Sequence, residues 1–253
     1  MDMQRYFFQI SYDGSPFSGW QRQDNAPSVQ QCIEDALSKL FRTKIDVTGC
    51  GRTDAGVHAA DYYLHVDIDL PTEKINDLVF KLNMMLPTEI CINRIFPVEA
   101  AAHARFDAIS RAYTYNVHFG KDPFISKYSY QYNQSGKPDF SLMQEAAALI
   151  MNYDSFFPFC KSKTDVTNYD CNILHSNWRR NNEAKWTYHI SANRFLRGMV
   201  RLIVGMCINV ERFTLKDVAL AVDNQERLSL PWSVPARGLS LTEVQYPFLQ
   251  DKN

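Results

Sequence analysis

Twice along its length the chain changes apolar period in one order: strand, helix, strand, strand, helix, strand. That repeated order restricts it to folds that lay helices over a sheet. In the first pass Arg5 to Tyr12 is aromatic-rich and reads as a strand, and a polar turn through Asp13-Gly14 leads to a helix opened by Ser28. Ser28 and Gln31 form an S-x-x-Q capping box, after which Val29, Cys32, Ile33, Ala36, Leu37 and Leu40 recur at helical period. Strands follow over about 45–50 and 62–68, the second alternating Tyr62, Leu64, Val66 and Ile68 against Tyr63, His65 and Asp67. Ile75, Leu78, Val79, Leu82 and Leu86 form the stripe of a helix over about 74–86 that Pro87 ends, and a short strand at about 90–96 closes the half.

The second pass repeats the order with insertions. Arg111 to Phe119 alternates as a strand, a helix starts at Asp139 or Ser141 and runs through Met151, and Asn172–Trp178 with Lys185–Ser191 read as a strand pair. Helices follow at about 194–211 and 215–223, and Leu239–Tyr246 closes as a strand. The expected fold class is α+β: two ferredoxin-like (RRM-like) βαββαβ halves forming a mainly antiparallel sheet, with helices on one side and a cleft between the halves. The expected domains are 1–107 and 108–253. The polar, turn-rich stretches 120–138 and 153–171 read as insertions able to form mobile flaps.

Bulk properties remove several classes of function. No apolar run reaches the length of a membrane span, and MDMQRYFFQI lacks the order of a signal peptide, so the expectation is a cytoplasmic protein without membrane contact. The 6 cysteines have no paired spacing and read as reduced thiols. The tightest metal-like spacing, Cys171 to His175 with Cys160 upstream, lacks a CxxC pair, and no metal is expected. With 27 Lys and Arg against 28 Asp and Glu the net charge is −1, so any nucleic-acid binding must come from a local basic face.

Three stretches carry chemistry. "GCGRTDAGVHAA", residues 49–60, sets Arg52 and Asp54 between glycines just after an apolar strand-like run, as a tight loop would present a carboxylate. In "NRFLRGMVRLIVGMCINV", residues 193–210, Arg194, Arg197 and Arg201 share one face of the expected helix, and Arg201 is surrounded by Met199, Val200, Leu202, Ile203 and Val204. An arginine so deep in an apolar segment is costly unless a carboxylate meets it. Asp54 is the best candidate, with Glu34 and Asp217 as alternatives that would make the pair structural only. Along a strand Arg111, Tyr113 and Tyr115 share one face, a cation with two rings of the kind unstacked nucleobases bind, although a strand tyrosine also serves plain packing. His58, His103 and Arg105 add polar groups, and no Ser-His-Asp order, HExxH, GxxxxGK[ST] or GxGxxG is present.

Gly51-Arg52-Thr53-Asp54-Ala55-Gly56-Val57-His58-Ala59 resembles the signature loop of the tRNA pseudouridine synthase A (TruA) family. Tyr12-Asp13-Gly14, Gly19-Trp20-Gln21-Arg22-Gln23, Ser28-Val29-Gln30, His103-Ala104-Arg105-Phe106, Met199-Val200-Arg201 with Ile203-Val204-Gly205, and Gly238-Leu239 resemble further family segments in the right order. The resemblance covers essentially the whole chain and departs from the family's usual residues at Tyr62 and Leu202 and more loosely over 153–180. It implies that the cleft is catalytic, with Asp54 the catalytic aspartate, Tyr113 against the target base, Arg201 the basic partner of Asp54, and Arg52 holding the flipped-out RNA. It also implies a substrate uridine at positions 38, 39 and 40 of the tRNA anticodon stem-loop, a homodimer, and neither a nucleotide cofactor nor any other cofactor. Arg105, Arg111, Arg179, Arg180, Arg194 and Arg197 are the expected further RNA contacts. The competing expectation is a catalytically idle RNA-binding module, which would need the arginines but not Asp54. A phosphotransferase or hydrolase with Asp54 as nucleophile would want metal-binding carboxylates nearby, and Asp61 is seven residues away with no D-x-D.

Overall fold

The computed structural model describes residues 3–134, 136–161, 167–228 and 233–249. In chain order its main elements are β1 (Gln4–Tyr12), α1 (Val29–Phe41), β2 (Thr48–Gly49), β3 (His58–Ile68), α2 (Ile75–Met85), β4 (Ile90–Pro97) and β5 (Ser110–Phe119). They continue with β6 (Tyr130–Tyr132), α3 (Phe140–Leu149), β7 (Ile173–Asn182), β8 (Lys185–Ala192), α4 (Met199–Ile208), α5 (Leu215–Asp223) and β9 (Leu239–Gln245). This is a mixed α+β fold with largely antiparallel pairing. The chain divides into two compact units, Met1–Ile109 with Ser240–Asn253, and Ser110–Leu239.

In the first unit β1 lies between β3 and β4, antiparallel to both. Tyr6, Phe7, Phe8 and Ile10 are all fully buried, as a central strand covered on both faces requires. β2 pairs antiparallel with β3, and β9 joins β3 in parallel with Ser240 opposite His58. Asp61 of β3 ties its neighbours together, accepting from Gln9 Nε2 at 2.8 Å and from the Val244 N–H at 3.3 Å. Helix α1 begins where the sequence places it, with Ser28 Oγ accepting the Gln31 N–H at 3.2 Å.

The strand expected over 45–50 shrinks to two residues because its donors are used elsewhere. Side chains of α1 take its donors: the Ile45 N–H goes to Ser38 Oγ at 2.9 Å and the Val47 N–H to Glu34 Oε1 at 3.2 Å. Conversely β3 starts at His58, four residues before the expected alternation.

In the second unit β5 is flanked by β6 in parallel and β8 antiparallel, and β7 and β8 form a hairpin. Asp139 caps α3, its carboxylate accepting the Ser141 and Leu142 N–H groups, and Thr214 with Asp217 forms the capping box of α5. The helix expected over 194–211 begins at Met199, which corrects the reading of Arg194, Arg197 and Arg201 as one helical face. Gly198 stands at the N-cap with φ +72°, a left-handed conformation that separates the helix from the preceding turn. Of the ten residues of α4 all but Arg201 are buried. Of the expected insertions, residues 162–166 and 135 lie outside the described residues. Among the described residues no helix is long and apolar enough to cross a membrane.

Candidate active site

The loop between β2 and β3 is anchored on both sides by the segment that follows β1. The Trp20 N–H donates to the Thr53 carbonyl at 3.3 Å, the Gly56 N–H to the Phe17 carbonyl at 3.2 Å, and the Tyr12 hydroxyl meets Thr53 Oγ1 at 2.9 Å. Gly19, at φ +96°, makes this approach possible: a Cβ there would stand 2.3 Å from the Thr53 carbonyl oxygen. Gly56 turns the chain at φ +76°, and the Val57 N–H closes the turn on the Asp54 carbonyl at 3.1 Å. His58 Nδ1 lies 3.1 Å from both the Gly14 N–H and Asp13 Oδ1, fixing the end of the loop to the Asp13-Gly14 turn. Asp54 is half-buried at the centre of this frame.

Beneath the loop sits an aromatic floor. Tyr62 stacks on Trp20 at 4.2 Å between ring centroids and packs edge-on to Tyr12 at 5.6 Å. The Tyr62 hydroxyl donates to the Gly51 carbonyl at 2.6 Å. Burial pushes its ionisation well above the ordinary range, so it remains a neutral donor. A half-buried carboxylate on a backbone fixed at this many points has the geometry of a preoriented base or nucleophile. Reading the sequence did not single out Tyr12, Trp20 or Tyr62 as support for Asp54. The signal available was the pair of motifs at 12–14 and 19–23, whose glycines would have implied close backbone approach.

The second unit holds the other expected groups. Arg201 is half-buried on α4 and donates through Nε to the Val234 carbonyl at 2.8 Å, while the Val234 N–H returns to the Arg201 carbonyl at 3.3 Å. The alternative acids are engaged elsewhere. Glu34 accepts from Arg22, Gln30 and the Val47 N–H, and Asp217 accepts from Thr214. Tyr113 and Tyr115 have different environments despite their shared strand face. Tyr113 is half-buried, edge-on to Phe195 at 5.2 Å, whereas Tyr115 is fully buried with its hydroxyl on the Pro235 carbonyl at 2.8 Å. The expectation of two ring platforms is thereby corrected: Tyr115 is core.

The remaining arginines divide in the same way. Arg52 is exposed, with Nε on Gln21 Oε1 at 3.1 Å, and Arg111 Nη1 donates to the Asn193 carbonyl at 3.2 Å. Arg194 and Arg197 belong to the turn before α4, where the Arg194 N–H meets Asn193 Oδ1 at 2.8 Å and the Arg197 carbonyl accepts the Lys161 N–H at 3.0 Å. Arg179 and Arg180 are successive residues of β7, so their side chains leave opposite faces. The Arg180 guanidinium lies over the rings of Phe140 at 4.3 Å and Trp186 at 5.3 Å. Arg105 lies in the turn after β4, 5.7 Å over the Phe106 ring.

A family model described as tRNA pseudouridine synthase matches residues 9–107 and 154–247. The chain is 43% identical over 250 residues to a tRNA pseudouridine synthase A of Parabacteroides distasonis, covering 97% of each chain. It is likewise 43% identical to a protein of the same name from Porphyromonas gingivalis, over 97% of this chain and 98% of that one. A more distant relative of that name, from Bacillus subtilis, is 32% identical over 94% of this chain and 97% of its own.

Proposed function

Since the chain belongs to the tRNA pseudouridine synthase family, we propose that it isomerises uridine to pseudouridine in tRNA with Asp54 as the catalytic carboxylate. The reaction breaks the N1–C1′ bond, turns the uracil and joins C5 to C1′, with the C5 proton lost and N1 protonated. Nothing is gained overall, so neither a redox cofactor nor an energy donor is called for. Asp54 acts at C1′, at C6, or on the 2′ proton, three routes that start from the same carboxylate. Arg201 is its basic partner, a guanidinium able to hold and orient the carboxylate. Tyr113 stacks on the uracil and assists removal of the C5 proton. The target nucleotide has to leave its stack at a cost of a few kcal/mol, and Arg52, two residues from Asp54, offsets that cost.

Finer parts of the reading follow the family resemblance. We infer positions 38, 39 and 40 of the anticodon stem-loop as targets, a cytoplasmic location, and a homodimer of roughly twice 29.2 kDa in light scattering. Two ferredoxin-like halves, 1–107 with Asp54 and 108–253 with Tyr113 and Arg201, form the functional division. In the first of them the strand order β4-β1-β3, with β2 on β3, supports this. Arg105, Arg111, Arg179, Arg194 and Arg197 contact RNA, while Arg180 is engaged with its two rings.

The observation that carries the reading is the anchoring of the Asp54 loop to the Phe17–Trp20 segment and the Tyr62 hydroxyl. A module that only bound RNA would have no use for a carboxylate carried on a backbone held so firmly. Tritium release from unmodified tRNA transcripts labelled at uracil C5 tests it directly. Wild type is expected to release label, and Asp54→Asn to bind the same transcripts with no detectable release. Release by Asp54→Asn at the wild-type rate would remove Asp54 from the chemistry.

A further inference from the structure

The turn after β4 holds a large apolar ring in water. Phe106 is 74% exposed, although burying a phenylalanine side chain is worth about 1.5–3 kcal/mol. The backbone around it is fixed, because each N–H from Ala102 to Asp107 has a partner. The Ala102 N–H donates to the Glu99 carbonyl at 2.9 Å, His103 to Asp107 Oδ2 at 2.7 Å, and Ala104 to His65 Nδ1 at 3.0 Å. Arg105 and Phe106 donate to His103 Nδ1 at 3.1 and 3.3 Å, and Asp107 to the His103 carbonyl at 3.1 Å. Two further anchors come from below: Arg5 Nη1 on the Ala102 carbonyl at 3.0 Å and the Tyr246 hydroxyl on the Ala104 carbonyl. A turn determined at this many points cannot fold Phe106 inward without breaking several hydrogen bonds, each costing about 0.5–1.5 kcal/mol.

The ring's neighbours indicate what it meets. The His103 imidazole backs it at 4.3 Å, tilted 34°, and itself rests edge-on against His65 at 4.7 Å, while the Arg105 guanidinium lies 5.7 Å from the Phe106 centroid. A protein partner would call for a contiguous apolar patch around such an anchor. A single ring flanked by an imidazole and a guanidinium suits a nucleobase instead, whose π-face stacks on the ring while its phosphate meets the cation. We propose that Phe106 is a base-stacking platform that binds one unpaired nucleobase of the tRNA substrate, with Arg105 on the adjoining phosphate. This rests on the reading of the chain as a tRNA-modifying enzyme. It assigns Phe106 to substrate binding and gives it no part in the bond changes.

The test compares wild type, Phe106→Leu, Phe106→Trp and Arg105→Ala on unmodified tRNA transcripts, by direct binding at several salt concentrations and by tritium release. Phe106→Leu is expected to weaken binding and raise KM by about tenfold, with kcat, thermal stability and the slope of log affinity against log salt unchanged. Phe106→Trp should restore the affinity. Arg105→Ala should lower the salt slope, because it removes a phosphate contact. Wild-type affinity and KM in Phe106→Leu, beside normal release by wild type, would overturn the platform and leave the enzymatic reading standing. Lost thermal stability in Phe106→Leu would make the ring structural, and a changed mass in light scattering would make it a contact between copies of this chain. Failure of the wild type to bind any transcript would overturn both readings.

Discussion

Tyr62 shows how much of the Asp54 loop's precision comes from a residue outside the loop itself. Its ring stacks on Trp20 and its hydroxyl donates to the Gly51 carbonyl at 2.6 Å, three residues before Asp54. Tyr62→Phe keeps the stack and removes one hydrogen bond, leaving a carbonyl unsatisfied at a cost of about 1–3 kcal/mol. The expected outcome is a several-fold fall in kcat with KM within twofold of wild type, together with a modestly lower Tm. A proportionate loss of stability with kcat intact would mean that the hydroxyl only holds the fold. At this scale the sequence was legible where spacing alone decides and opaque where packing does. The glycines around Asp54 announced a tight loop, but Tyr113 and Tyr115 look alike in a period-two pattern. Only the path of the chain back to Pro235 makes one of them core.

Among the elements, those with local signals fell close to their expected bounds: α1 with its Ser28 cap, α2 with its stripe, α5 with its capping box. The misplaced ends were set by groups distant in sequence or by a single dihedral angle. Side chains of α1 took the donors of the expected strand at 45–50, and a left-handed Gly198 delayed α4 by five residues. Pairing in the first unit also makes a measurable acid lability. His65 of β3 accepts the Ala104 N–H, and burial, then the charges of Arg5 and His103, lower its pKa from 6.5 to about 4. The unfolded chain therefore binds this proton before the folded one does. The stability this group contributes is present above pH 6.5 and is lost as pH falls towards about 4. Its full size is about 3 kcal/mol. Between pH 7 and 4.5 the wild-type Tm should fall several degrees further than that of His65→Gln, which keeps a polar side chain but does not titrate. His118 and His189, also lowered by burial, remain in both proteins and cancel in the comparison. Equal falls in Tm would remove His65 as the cause.

For the molecule as a whole the balance of 27 basic and 28 acidic residues leaves no net attraction for a polyanion, so tRNA affinity has to be built from individually placed cations. Composition gave that much, but it could not say which arginines are free to reach a phosphate. Arg179 and Arg180 read as one basic pair in sequence, yet strand alternation separates them, and Arg180 spends its guanidinium on Phe140 and Trp186. The two should therefore fail differently. If Arg179 neutralises one phosphate, Arg179→Ala should reduce the slope of log affinity against log salt by about 0.7–0.9, the share of a single released counterion, and leave Tm unchanged. Arg180→Ala should leave the slope as it is and lower Tm, because it removes cation–π contacts worth about 0.5–2 kcal/mol. Binding isotherms on one tRNA transcript at four or five salt concentrations, with melting curves of the same preparations, resolve the two effects. A slope lowered equally by both substitutions would mean that Arg180 leaves its rings for the RNA. A slope lowered by neither would place tRNA binding on other arginines and make this face of β7 a solvated one.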